Sequence, residues 1–311
     1  MSDFRILVVG AGATGGYFGG RLLQAGRDVT FLVRPARAKL LRERGLRIVG
    51  LGEETVLEPA LVETGEPTGP YDLVLFAVKA TAVPAAIEDL APAVGPGTLI
   101  MPFLNGMKHL DDLAARFGAP AVLGGVAKVQ TTVDGAGDIR RLGELQELRY
   151  GALDAAQTPE RLAVVDSALG GAGYPAGIAT DILGEMWAKW VMIAAMGGVT
   201  CLMRGTIGDV EAVPGGRGFA EAVLAEAASV AAAAGHPVEP DELTGFRAMV
   251  TAAGSPAAPS LYRDLVGGHP LEVEQLLGDF VARAAGFGVA VPKLDLATLQ
   301  LRVHQARLER G

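Results

Sequence analysis

Lys189 stands in the stretch LGEMWAKWVMIAAMGG (183–198), between two tryptophans and just ahead of a run that carries no charge. In a helix the side chains one turn beyond it are Met192 and Ile193, so no polar stripe continues from it. Two chemistries account for an ammonium there. Glu185, four residues earlier, can form a helical ion pair with it in the favourable order. Alternatively the lysine faces a ligand, where partial desolvation lowers its pKa and makes it a proton donor near neutral pH.

A second set of residues suits phosphate chemistry. VVGAGATGG (8–16) places Gly10, Gly12 and Gly15 in GxGxxG spacing, with Ala11, Ala13 and Thr14 between them. The first glycine permits a tight turn, the second lets backbone approach a pyrophosphate, and the third lets helix lie on strand. The apolar RILV before it and the helical pattern YFGGRLLQAG after it are the context such a dinucleotide-binding turn requires. At the end of the next strand, TFLVRPAR carries Arg34 and then Arg37 where an NAD-binding chain would have an acid. A guanidinium fork fits a 2'-phosphate, so the expected cofactor is NADP(H). As an alternative, these are solvated loop arginines. Lys79 ends YDLVLFAVK and Asn105 ends GTLIMPFLNG, both at strand carboxyl ends, where open α/β sheets bind ligands. A surface lysine and an Asn-Gly turn are the plainer readings of these two.

The elements that position these residues form two groups. The first half alternates short apolar runs at 5–10, 28–33, 71–78, 97–104 and 120–133 with helix-like stretches, the pattern of a parallel sheet wrapped by helices. The stretch beginning GDIRRLGELQELRY reads as antiparallel, and beyond about residue 180 helical spacing takes over, at 216–235, 271–288 and 294–310. The expected class is α/β: an N-terminal Rossmann dinucleotide-binding domain (1–180) followed by an all-helical C-terminal domain (181–311).

Composition narrows the partners. A net charge of −8 without a run of five like charges argues against nucleic acid. The N-terminus enters a strand pattern with no secretory signature, and the uncharged run Trp190–Met203 is shorter than the roughly 18 residues that span a bilayer, so a cytoplasmic protein without membrane contact is expected. The one cysteine, Cys201, reads as a small buried apolar residue. His109, His236, His269 and His304 lack metal-ligand spacing, and no metal site is expected. The alanine-rich helices after residue 216 can pack within one chain or between two, which leaves a homodimer open.

The series GAGATGG, FAVKA, LNGM, EMWAKW and SLYRDLVGGHPLEVE resembles the ketopantoate reductase family in order and over essentially the whole chain. The resemblance implies a Rossmann domain joined to a helical domain and NADPH-dependent reduction of the 2-keto group of ketopantoate, a step toward pantothenate. It implies Lys189 as catalytic acid, Asn105 in contact with nicotinamide and substrate, and Arg34 and Lys79 as cofactor ligands. Ser260 would hold the substrate carboxylate, Glu272 would lie beside nicotinamide and substrate, and Thr131 would touch the cofactor through its backbone. For Ser260 and Glu272, a helix cap and an exposed helix charge are the competing readings.

The chain departs from the family where asparagines that hydrogen-bond the substrate are expected. It has Ile193 and Gly197, four and eight residues after the lysine, and Ile207 at a third position. Losing such groups leaves a substrate hydroxyl poorly satisfied. The small-molecule partner is therefore ketopantoate or another, more apolar 2-oxo acid or imine. A noncatalytic NADP-binding sensor is the remaining alternative, and Lys189, which cofactor binding alone does not need, argues against it.

Overall fold

A computed structural model describes residues 4–66 and 69–310. The chain divides into two compact units, residues 1–104 with 109–182, and residues 105–108 with 183–311. The short Asn105–Lys108 segment thus belongs with the second unit although the strand before it belongs to the first.

In the first unit the order is β1 (Arg5–Val9), α1 (Ala13–Gln24), β2 (Asp28–Val33), α2 (Pro35–Arg44), β3 (Leu46–Gly50), β4 (Glu53–Leu57), β5 (Ala60–Glu63), β6 (Leu73–Phe76), α3 (Val83–Leu90), β7 (Leu99–Pro102), α4 (Lys108–Phe117), β8 (Gly124–Val133), β9 (Ile139–Gly151), α5 (Pro159–Leu169) and β10 (Ala176–Ile178). Five strands form an all-parallel sheet in the order β5-β2-β1-β6-β7. Both its faces are covered, which is why these strands read as unbroken apolar runs. Along β1, Ile6 and Val8 join one core cluster while Leu7 and Val9 join the other. The chain builds outward from β1 through β2 to β5, then returns to β6 on the other side of β1. That reversal is the switch point at which such sheets bind ligands.

The second sheet runs β10-β9-β3-β4, with β8 also paired to β9. The β8–β9 pairing is antiparallel, as the alternation in that stretch suggested, with a register shift between Val129 and Thr131. The β3–β4 hairpin, Leu46 opposite Leu57, gave no comparable signal because β4 (EETVL) alternates half-buried and exposed residues and begins with two acids.

Among its described residues the second unit has only helices as regular elements: α6 (Ile182–Met203), α7 (Ile207–Glu211), α8 (Gly216–Ala233), α9 (Pro240–Val250), α10 (Ser260–Val266), a π-helical turn (Glu274–Gly278), α11 (Asp279–Gly286) and α12 (Pro292–Leu308). With 22 residues, α6 outruns the uncharged stretch it contains and is long and apolar enough to cross a membrane by composition, yet about two thirds of its most apolar window is buried inside the protein. It is a core helix. Cys201 on it is fully buried, and desolvation pushes its thiol up to about 12. Glu226 of α8 accepts from the backbone amides of Lys293 and Leu294 at 2.9 and 3.1 Å and so satisfies the first turn of α12.

Candidate active site

The first unit holds the glycine-rich turn. Gly10 has φ +97°, its amide donates to Leu32 O at the end of β2, and a Cβ on it would stand 2.9 Å from Ala77 O beyond β6. A Cβ on Gly15 would overlap Gly10 O and approach Ala77 Cβ to 2.7 Å. These two glycines are required by protein–protein approach. Gly12 is different, because a Cβ there would meet no atom within 4 Å. Gly12 also caps α1, whose first turn has no side-chain cap and no acidic residue. Open space above a helix N-terminus with uncapped amides fits a pyrophosphate. Ala11 is buried, while Ala13 and Thr14 are half-buried around this opening.

Three further residues of this unit stand near the turn, two by their place in the chain and one by a bond. Arg34 is the exposed N-cap of α2, immediately after β2, whose Leu32 carbonyl holds Gly10. Lys79, also exposed, lies two residues past Ala77, the residue under Gly10. Thr131, at the register shift of β8, donates through Oγ1 to Ala13 O at 3.0 Å, so its side chain meets the turn. Arg37 does something the sequence did not disclose. Its Nε donates to Ala11 O at 3.1 Å and its Nη1 to Gly137 O at 2.8 Å, tying the turn to the β8–β9 connection. Burial lowers its pKa. Of the two arginines, Arg34 is the one left exposed.

The second unit carries the other residues. Trp187 and Trp190 are both buried, their rings 5.2 Å apart, and Trp190 meets Phe280 of α11 edge-on at 4.9 Å. With both indoles committed to the core, Lys189 stays half-buried on a different face. Met192, Ile193 and Met196, three, four and seven residues on, are half-buried too, while Val191, Ala194 and Ala195 are buried completely. The partly open face of α6 therefore continues from the lysine as an apolar, thioether-bearing stripe.

Gly197 and Ile207 are more enclosed. Gly197 is buried, and a Cβ on it would reach Leu261 Cδ2 of α10 at 3.4 Å, so Leu261 fills the space beside it. Ile207 is 0% exposed as the first residue of α7, behind a Thr206–Asp209 capping box. The expectation that it lines a pocket is corrected: it is a core residue. Ser260 is exposed as the first residue of α10, but the cap position is Pro259, so Ser260 is not the helix cap of the simpler reading. Glu272 is half-buried and precedes the π turn, so it is no exposed helix charge. The helix expected over 271–288 starts at Val273 and holds a π turn before α11, because one extra residue per turn leaves composition unchanged.

Asn105 is half-buried, and its carbonyl accepts from Gln275 Nε2 at 3.3 Å. Gly106 has φ +78°, and a Cβ on it would stand 2.5 Å from Gln275 O. The Asn-Gly turn thus lies directly on the π turn. Sequence reasoning missed Gln275, which is 8% exposed; beside Glu274 in LEVEQLLG it reads as one more polar residue of a helix.

Comparison with known proteins agrees with this architecture. Two family profiles match, "Ketopantoate reductase PanE/ApbA" over residues 6–155 and "Ketopantoate reductase PanE/ApbA C terminal" over 181–305. "Uncharacterized oxidoreductase YkpB" of Bacillus subtilis (strain 168) is 34% identical across 97% of this chain and 99% of its own length. A 2-dehydropantoate 2-reductase of Mesorhizobium japonicum is 26% identical across 99% of each chain. Among solved structures, 2-dehydropantoate 2-reductase from Geobacter metallireducens GS-15 superposes with a TM-score of 0.86 at 27% identity, covering 96% of this chain and 99% of that one. D-mandelate dehydrogenase with NADH and anilino(oxo)acetate shares the fold, with a TM-score of 0.87 at 21% identity over 98% of this chain and 99% of that one.

Proposed function

Since the chain belongs to the ketopantoate reductase family, oxidoreductases that act on a keto or CH–OH group with a nicotinamide dinucleotide, we propose that it reduces a 2-oxo acid to the 2-hydroxy acid with NADPH and with Lys189 as proton donor. The observation that carries this reading is the half-buried lysine of α6, held in place by two core tryptophans. Relatives named 2-dehydropantoate 2-reductase make ketopantoate the first substrate to try.

The reduced nicotinamide supplies the hydride for the keto carbon. This chain's residues do the rest. Gly12 and the uncapped amides of α1 receive the pyrophosphate, and Arg34 and Lys79 are the exposed cations beside that turn. Arg34 is the residue for a 2'-phosphate and hence for NADPH over NADH. As the carbonyl carbon takes the hydride, negative charge grows on its oxygen; Lys189 Nζ stabilises that charge and then transfers a proton to it. Asn105 and Glu272 act at the nicotinamide and substrate, and Ser260 serves the substrate carboxylate. Ile193 and Gly197 occupy substrate-side positions without a hydrogen-bonding group.

The stripe Met192–Ile193–Met196 favours a second reading of the substrate, a 2-oxo acid whose side chain is apolar rather than hydroxylated. The test is oxidation of NADPH, with NADH beside it, by the purified protein on ketopantoate and on hydroxyl-free 2-oxo acids of similar size. Turnover is expected, and Lys189→Ala should lower kcat by about 10²- to 10⁴-fold with NADPH affinity retained. Unchanged turnover in that variant overturns Lys189 as the acid. A kcat/KM for ketopantoate about tenfold or more above that for the apolar acids overturns the second reading.

A further inference from the structure

Asn105 and Glu272 lie far apart in sequence, yet both adjoin the turn Glu274–Gly278, and Trp190, the chain neighbour of Lys189, is bonded to it. The side chain of Gln275 holds the carbonyl of Asn105 at 3.3 Å. The main chain of the same residue receives Gly106, which no side-chain-bearing residue could replace at φ +78° and 2.5 Å from Gln275 O. Next in line, Leu276 O accepts the buried Trp190 Nε1–H at 2.8 Å, and Trp190 adjoins Lys189 on α6. Glu272 immediately precedes the segment, and its carbonyl accepts from Leu276 N at 3.1 Å.

A π turn inserts an extra residue into the helical ladder and redirects its carbonyls, and it persists only where neighbours support it. Here the support is explicit. Glu274 receives Arg302 of α12 in a two-point bond, 2.7 Å to each nitrogen, which holds its carboxyl below the usual range. Gly278 leaves room for that carboxylate, with which a Cβ would collide. A buried glutamine is costly unless its amide is used, and leucine would fill the same volume. The use found for it is Asn105.

We propose that the π turn positions Asn105, with Gln275 as the positioning residue that directs the Asn105 carboxamide. This rests on the role given to Asn105 under the proposed function. An amide one residue along a glycine-containing turn swings freely unless the main chain before it is anchored, and Gln275 Nε2 is the anchor.

The experiment is a double-mutant cycle on the full chain with Gln275→Leu and Asn105→Ala, reading kcat and KM for the best 2-oxo acid, NADPH affinity and melting temperature. Gln275→Leu should lower kcat about three- to tenfold, the worth of one such hydrogen bond, with NADPH affinity within about twofold of the parent, as expected for a bond worth this little elsewhere. The double variant should be no slower than Asn105→Ala alone, because Gln275 acts through that side chain. Equal losses from Gln275→Leu in both backgrounds would overturn the proposal, as would an unchanged kcat in Gln275→Leu. If Asn105→Ala itself keeps full turnover, the assignment of Asn105 fails and this inference with it. Should Gln275→Leu not fold, Gln275→Met, unbranched and of similar length, takes its place in the same cycle.

Discussion

The glycine-rich turn of the first unit and the π turn of the second solve similar problems by opposite means. Both depend on glycines at close approaches, Gly10 and Gly15 against backbone in one, Gly106 against backbone and Gly278 against the Glu274 carboxylate in the other. In the first unit the proposed groups are backbone amides and open space within one contiguous motif, so the residue types needed are adjacent in the chain. In the second the proposed groups are side chains from 105, 189 and 272, and residues 105 and 272 meet at the π turn. A site made of backbone declares itself locally, whereas a site made of side chains does not.

The sharpest way to break this comparison is a glycine pair. Gly15→Ala should cost about 1–3 kcal/mol or abolish folding of the first unit, because its Cβ overlaps Gly10 O and has no way to move aside. Gly12→Ala should melt like the parent, since its Cβ meets nothing, yet bind NADPH at least about tenfold more weakly by intruding where a pyrophosphate approaches. Parental NADPH affinity in Gly12→Ala would remove the phosphate reading of that opening.

The two arginines sharpen it further. Arg34→Ala should reduce the preference for NADPH over NADH by about ten- to a hundredfold, the worth of a charge-assisted bond pair, without changing the melting temperature. Arg37→Ala should do the reverse, lowering stability by about 1–3 kcal/mol because Ala11 O and Gly137 O lose their donors, with less effect on cofactor choice. A cofactor preference that moves with Arg37 and not with Arg34 would exchange their roles.

The smallest effect concerns acid stability of the first unit. Arg21 donates to both oxygens of Glu53 at 2.6 and 2.5 Å, with Arg141 at 3.2 Å, and these bonds hold the Glu53 carboxyl below its ordinary value. A depressed folded-state pKa means the stabilisation is fully present above the ordinary carboxylate pKa and is lost as pH falls through the depressed one. Melting temperature followed from neutral pH into the acid range should therefore fall less steeply in Glu53→Gln than in the parent. Parallel curves would show that the pair does not set the acid limb.

Much of the fold was legible because burial on both sheet faces turns β1, β2, β6 and β7 into continuous apolar runs. The β3–β4 hairpin, half-buried and charged, left no such trace. Within the site, Lys189 stood out because an ammonium beside two core tryptophans is chemically odd, while Ile207 misled because spacing along a chain does not report burial. Gln275 had no local signature at all, since its partner lies 170 residues away.

By itself, then, the sequence determined the α/β-then-helical order, the glycine-rich turn between strand and helix, and the lysine, all of which follow from local periodicity or from residue types that local physics constrains. Only the tertiary structure decided that Asn105 belongs with the helical unit, that Arg37 braces the turn while Arg34 stays exposed, and that a π turn underlies Asn105. Those depend on which backbone atoms meet across long chain separations, and no spacing rule encodes such contacts.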